Sequence, residues 1–278
     1  MIRSLLLIVM LGAPAAAMGG ACSLGWVCVE AVETDRRVEL VARNLQPWPV
    51  TVSVRVETED MRAAPAAEVT HTLGGGERHT LLSLSDADTG AGAGIAGSYR
   101  YFFDWSVGRL DANHDDSYVY QLPYAAADSY RVLQGYGAPL SHTGLEYWTV
   151  DFDMPVGTPV YAARDGVVVR LREKHDRACW EPRCGRYANF VVVLHDDMTT
   201  GEYYHLRQHG VVVEVGQRVA QGALLGYSGN TGKSTMPHLH FGVYRASSWG
   251  RTESVPVRFL TDNGILQRPE SGRSYRHP

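Results

Sequence analysis

Along much of the chain, apolar and polar residues alternate with a period of two. Val38-Glu39-Leu40-Val41-Ala42 and Val50-Thr51-Val52-Ser53-Val54-Arg55-Val56 carry this pattern on either side of the turn-rich stretch Asn44 to Pro49. Side chains two apart on a strand share a face, so β-branched residues at this spacing predict half-buried strands. Similar runs fall at His79 to Leu84 and Ser98 to Trp105, divided by a stretch at 87–97 rich in glycine and aspartate. Together they predict a small antiparallel β-sandwich over residues 22–110. The polar run from Asp111 to Asp116 opens a segment, 111–124, expected to be a solvated linker. Beyond it the pattern is again all-β, with strands expected at Thr149 to Asp153, Pro159 to Ala163, Gly166 to Arg172, Ala188 to His195, Gly201 to Leu206 and His238 to Arg245. Glycines at 157, 166, 216, 222, 226, 229 and 232 punctuate these runs, as hairpin turns require. No amphipathic helix of useful length is visible. The second domain is expected over 125–262, with 263–278 a loose tail.

Composition changes this picture little. With 45% hydrophobic and 20% charged residues over 278 positions, the chain has the make-up of a folded globular protein of one or two domains. A formal net charge of -4 argues against a nucleic-acid partner, which would call for a basic excess. The first residues add a destination. Arg3, an apolar run from Leu5 to Leu11, and Pro14 ahead of Ala15-Ala16-Ala17 read as a secretory signal over 1–17, with cleavage after Ala17. The run is too short to span a membrane, and Cys22 lacks the apolar residue three positions before it that an acylation site needs. An exported protein, periplasmic or extracellular, is expected, without a membrane span once the signal is removed.

Export bears on the four cysteines, which allow three pairings. Cys22 and Cys28 lie close together, and Cys179 and Cys184 flank a turn containing Pro182. Local pairing within each couple is expected in an oxidising compartment, since the couples lack the ligand spacing of a zinc ribbon.

The sharpest chemical signal is Pro237-His238-Leu239-His240-Phe241-Gly242-Val243. On a strand, His238 and His240 project side by side while Leu239 and Phe241 enter the other face. Paired neutral imidazoles suit a transition metal, zinc above all; alone, they would be read first as two polar residues on the wet face of an amphipathic strand. Other pieces stand in order before them. His142 precedes Asp151-Phe152, then come Pro155-Val156-Gly157-Thr158-Pro159-Val160-Tyr161-Ala162, Asp165-Gly166-Val167-Val168, Tyr203-Tyr204-His205-Leu206 and Gly229-Asn230-Thr231-Gly232.

This ordered set resembles the lysostaphin-type, or LytM-like, zinc endopeptidases, over roughly residues 130 to 245. In the common family pattern the first His and the Asp lie four positions apart; here eight residues intervene between His142 and Asp151, and Ser141-His142 with Asp151-Phe152 is similar to a subgroup with the longer connection. Asp153 is the alternative to Asp151, in a context that fits the motif less well. The resemblance implies an all-β fold in which the sandwich-like domain precedes an antiparallel LytM-like peptidase domain. It implies zinc held by His142, Asp151 and His240, a zinc-activated water assisted by the catalytic imidazoles of His205 and His238, and peptidoglycan peptide cross-links as substrate. Asn230 and Tyr203 could position substrate, or serve as turn former and strand residue.

Rival readings are a ligand-poor family member acting as a binding or regulatory module, and a zinc protease for protein substrates. All five polar positions are filled here, which argues against the first, while substrate choice resides in loops that the ligands do not specify. A serine hydrolase is disfavoured because Gly226-Tyr227-Ser228-Gly229 is not a nucleophile elbow, and the His-Glu-x-x-His zinc helix is absent. His175, His195, His209 and His277 lie outside the motifs. His71 and His79, in the first domain, are read as ordinary strand residues without acidic or cysteine companions.

Overall fold

The structure, a computed structural model, describes residues 21–34, 36–87, 95 and 97–278; the expected signal segment lies outside them. The described chain is all-β, broken only by two short 3-10 turns, Gly144–Glu146 and Pro182–Tyr187. None of its helices is long and apolar enough to cross a membrane. The described residues divide into two compact units, one formed by those from Ala21 to Asp111 with Ala246–Thr252, the other by Ala112–Arg245 with Glu253–Pro278.

The first unit is a two-sheet sandwich. A five-stranded antiparallel sheet runs in the order Ala21–Ser23, Val27–Glu33, Arg37–Asn44, Arg78–Asp86, Met61–Ala64. A three-stranded sheet places Val50–Glu59 between Glu68–Leu73 and Ser98–Val107. The period-two pattern does what it predicts on the inward faces: Val29, Leu40, Val52 and Val54 are fully buried, each such burial contributing about 1.5–3 kcal/mol. Tyr101 Oη donates to the Val29 carbonyl and ties one sheet to the other. The segment Ala246–Thr252 adds to this unit from far along the sequence, with the Trp249 amide donating to Ser53 Oγ. Cys22 and Cys28 face each other across the first hairpin and are disulfide-bonded; Cys179 and Cys184 are bonded in the second unit.

The second unit is organised by an antiparallel sheet in the order Arg218–Val219, Gly166–Arg172, Phe190–Leu194, Thr200–Tyr204, Leu239–Ala246, Val150–Phe152, Ser129–Gln134, Ser274–Arg276. Phe152, Val191, Tyr203, Leu239 and Phe241 meet in its core. The segment expected to be a linker is partly a strand: Val119–Gln121 pairs in parallel with Arg258–Thr261. The polar run ends at Ser117, and the alternation Tyr118, Tyr120, Leu122, Tyr124 that follows packs against or enters the core. The expected loose tail is also ordered. Ser274–Arg276 pairs with Ser129–Gln134, and Tyr124 Oη donates to the Tyr275 carbonyl. A single aromatic in a polar stretch is too weak a pattern to announce such an edge strand.

Candidate metal centre and catalytic imidazoles

The site is built from one cross-strand row. Residues paired across an antiparallel ladder share a face, and the register sets Gln134 opposite Asp151, Asp151 opposite His240, and His240 opposite Tyr204. Odd and even positions of Leu239–Ala246 therefore divide the work: Leu239, Phe241 and Val243 are in the core, while His240 and Tyr244 lie on the site face. His142 comes from outside the sheet, just before the Gly144–Glu146 turn, and is fully buried.

Asp151 Oδ1 is the hub. It lies 2.8 Å from His240 Nδ1, 3.2 Å from His142 Nε2 and 3.9 Å from His238 Nε2. One donor atom each from His142, Asp151 and His240 falls within 4.8 Å of the other two. Asp153, the alternative carboxylate, is not in this group, because the strand ends at Phe152.

The far side of each imidazole fixes its tautomer. His142 Nδ1 donates to the Gly135 carbonyl at 3.2 Å, so Nε2 keeps its lone pair; that atom is buried with no hydrogen-bond partner, its approach to Asp151 lacking bonding geometry. Tyr244 Oη donates to Glu146 Oε2 at 2.7 Å and so accepts from His240 Nε2 at 3.1 Å, which leaves Nδ1, donating to Asp151 Oδ1 at 2.8 Å, as the nitrogen that a metal would take in exchange for a proton. Gln134 Nε2 donates to Asp151 Oδ2 at 2.6 Å and to Ser141 Oγ at 2.9 Å. Burial raises the Asp151 carboxyl pKa, but the adjoining His142 and His240 outweigh it and hold the group well below the usual carboxylate range. Two imidazole nitrogens and a carboxylate oxygen thus converge on one buried point. A buried arrangement of that kind calls for a cation, and two nitrogens with one oxygen is a donor set that zinc accepts.

Two further imidazoles flank the hub. His205 is not a strand residue as expected. It sits in the break between Thr200–Tyr204 and Leu206–Val211 with φ +68°, a left-handed conformation uncommon for a residue with a Cβ and frequent where function holds a side chain in place. Its Nδ1 donates to the Thr231 carbonyl at 2.6 Å. That carbonyl belongs to the Gly229 to Gly232 turn, which closes against Ala188: a Cβ on Gly232, φ +86°, would lie 2.6 Å from Ala188 Cβ. Burial, then the neighbouring His238 and His240, push the His205 pKa down to about 3. It is a neutral base whose Nε2 is free. His238 stands just outside the strand, joined by a bridge to Gly229; its Nδ1 donates to the Met236 carbonyl at 2.8 Å, and its ring centroid is 4.4 Å from that of His205.

All five expected site residues therefore come together. Of the two substrate candidates, Tyr203 is fully buried, its Oη accepting the Ala163 amide, so it is a core residue, whereas Tyr204 is on the site row. Asn230 has a buried Oδ1 without a hydrogen-bond partner. The sequence reading missed Gln134, Glu146 and Tyr244. Period two from His240 could have found Tyr244; Gln134 and Glu146 carry no motif.

An antiparallel sheet bearing a three-residue metal-type donor set with two further imidazoles beside it defines the class of site. Residues 146–253 match the model of peptidase family M23, and the chain carries a domain of that family. The match contains Asp151, His205, His238 and His240 and begins after His142. The chain is 44% identical over 91 residues to the peptidoglycan DD-endopeptidase ShyA of Vibrio cholerae, covering 33% of this chain and 18% of the relative. It is 36% identical over 155 residues to the glycyl-glycine endopeptidase ALE-1 of Staphylococcus capitis, covering 55% and 38%. A solved structure of the lysostaphin catalytic domain from Staphylococcus simulans has 31% identity, covers 50% of this chain and 88% of that one, and gives a TM-score of 0.34. The chain thus spans less than half the length of these two curated relatives.

Proposed function

We propose that the chain is an exported zinc metalloendopeptidase that hydrolyses peptide cross-links of bacterial peptidoglycan. The observation that carries the reading is the convergence of His142 Nε2, Asp151 Oδ1 and His240 Nδ1, each with its other polar atom held by a separate partner. In this reading those three residues hold zinc, which when bound supplies Lewis acidity to the scissile carbonyl and to water. His205, neutral and oriented by the Thr231 carbonyl, takes a proton from the attacking water through Nε2. His238, its Nδ1 tied to the Met236 carbonyl, presents Nε2 to the same space; once protonated there it donates to the developing oxyanion or the departing amine. Gln134 and the Tyr244 and Glu146 pair keep the carboxylate and the His240 ring from turning.

The substrate class follows from the names of the relatives, both of them endopeptidases, one described as acting on peptidoglycan and one on glycyl-glycine bonds. Two disulfides accord with an oxidising compartment outside the cytoplasm. The test is digestion of purified peptidoglycan sacculi, with mass analysis of the released muropeptides. Cleaved cross-links from the zinc-loaded wild type, lost on chelation and in Asp151→Ala, are expected. Intact sacculi under zinc loading, together with cleavage of unfolded protein substrates, would replace the proposal with a protein protease.

A further inference from the structure

The sandwich unit contains a second convergence of metal-type donors. Glu68–Leu73 and Arg78–Asp86 are consecutive strands but belong to different sheets, so the turn between them, Gly74-Gly75-Gly76-Glu77, crosses from one sheet to the other. His71 stands on the first strand and His79 on the second, and their rings stack with centroids 4.1 Å apart and planes 7° from parallel. Glu77 Oε1 lies 3.9 Å from His79 Nδ1. One donor atom from each of the three residues lies within 4.8 Å of the other two. The carboxylate that the sequence reading found missing is thus supplied by the turn.

The turn that brings Glu77 to the two histidines is held in place. Glu77 Oε2 accepts the Gly74 amide at 2.6 Å, which leaves Oε1 free. The Asn44 amide donates to the Glu77 carbonyl at 2.9 Å, and Asn44 Nδ2, fully buried, donates to the Gly74 carbonyl at 2.8 Å. Gly76 donates to the Gln46 carbonyl at 2.9 Å. Gly75 has no room for a side chain: a Cβ there would lie 2.2 Å from the Pro47 carbonyl oxygen. The turn is therefore fastened to the 44–48 turn along its length.

We propose that His71, Glu77 and His79 form a second transition-metal site, for a divalent ion of the zinc or copper type, that clips the two sheets of the sandwich at this hairpin. Two imidazoles and one carboxylate are the donors such ions accept. The surface position leaves coordination positions to water and makes the ion exchangeable, as suits a structural or sensing site. This site is independent of the catalytic reading, because it uses no residue of the first donor set.

The experiment is a zinc titration of the full chain after chelation and dialysis, by calorimetry with metal analysis. Two equivalents per wild-type chain are expected. Asp151→Ala with His240→Ala should remove one, and His71→Ala, His79→Ala and Glu77→Gln should each weaken the other at least tenfold. Glu77→Gln keeps an acceptor for the Gly74 amide, so it separates lost ligation from lost folding. In the chain lacking Asp151 and His240, copper(II) should give an electron paramagnetic resonance spectrum with nitrogen couplings that disappear when His71 and His79 are replaced. The site is overturned if that chain binds no zinc, or if replacing His71 and His79 together leaves zinc stoichiometry and copper spectrum unchanged in folded protein. Failure of the catalytic proposal would instead appear as loss of the equivalent that depends on Asp151.

Discussion

Replacing Gln134 by leucine tests whether the donor set depends on the residues that hold it. Gln134 Nε2 makes the 2.6 Å bond to Asp151 Oδ2, and its Oε1 accepts the Ser141 amide at 3.2 Å. Leucine fills similar volume but restrains neither. A hydrogen bond to a charged acceptor contributes about 1.5–3 kcal/mol, and Asp151 retains its Oδ1 contacts to both histidines, so the lower half of that range is the expectation. That corresponds to zinc affinity falling roughly 10- to 50-fold, inside the usual range of about 10- to 100-fold for an outer partner of a metal ligand. The assay is competition against a chelator of known affinity, with circular dichroism on the same samples to confirm folding. Because Gln134 does not belong to the donor set itself, binding should weaken rather than vanish. Gln134→Glu should do worse than leucine, since it sets a second negative charge against Asp151 Oδ2. Affinity unchanged within twofold in folded Gln134→Leu would refute the idea that the carboxylate needs this anchor.

Three other outcomes follow from the same geometry. His205→Ala and His238→Ala should each keep zinc while turnover falls roughly 10²- to 10⁴-fold, read by metal analysis and muropeptide release on one preparation; metal loss in His205→Ala would make it a ligand. His195 is buried with Nδ1 donating to the Asp165 carbonyl, and burial lowers its pKa to about 4. The unfolded chain then binds the proton first, so this group's contribution is full above about pH 6.5 and falls by up to about 3 kcal/mol as pH drops toward 4; denaturant melts should show a shallower slope in His195→Gln than in the wild type, the part that remains including that of His205. Non-reducing peptide mapping should recover Cys22 linked to Cys28 and Cys179 to Cys184, and a cross-pairing would contradict the local hairpin geometry.

What could be read from the sequence, and what could not, divides along a physical line. Strands that bury one face against a core announce themselves by period two: Gly166–Arg172 has the expected bounds, and Ser98–Val107 is longer by two residues. Edge and late strands do not, because a strand paired on one side with little buried area has no need of the pattern; Ser274–Arg276 is of this kind, whereas Val119–Gln121 does alternate, around the buried Tyr120, and is hidden by the polar run before it. The segment Ala246–Thr252 escapes for another reason, since membership of a unit by a distant stretch leaves no trace in local composition. At the site the same division holds. His142, Asp151, His205, His238 and His240 are legible because fixed motifs carry them, whereas their supports act through whatever the backbone brings near: the Gly135, Thr231 and Met236 carbonyls have no side-chain signature at all. The longer connection after His142 shows what that costs a reader of motifs. That connection contains the Gly144–Glu146 turn, and the turn delivers the carboxylate that accepts from Tyr244 and so leaves Tyr244 Oη to accept from His240 Nε2. An insertion that looks like a departure from the pattern is, in the folded chain, part of what aims the donor atom.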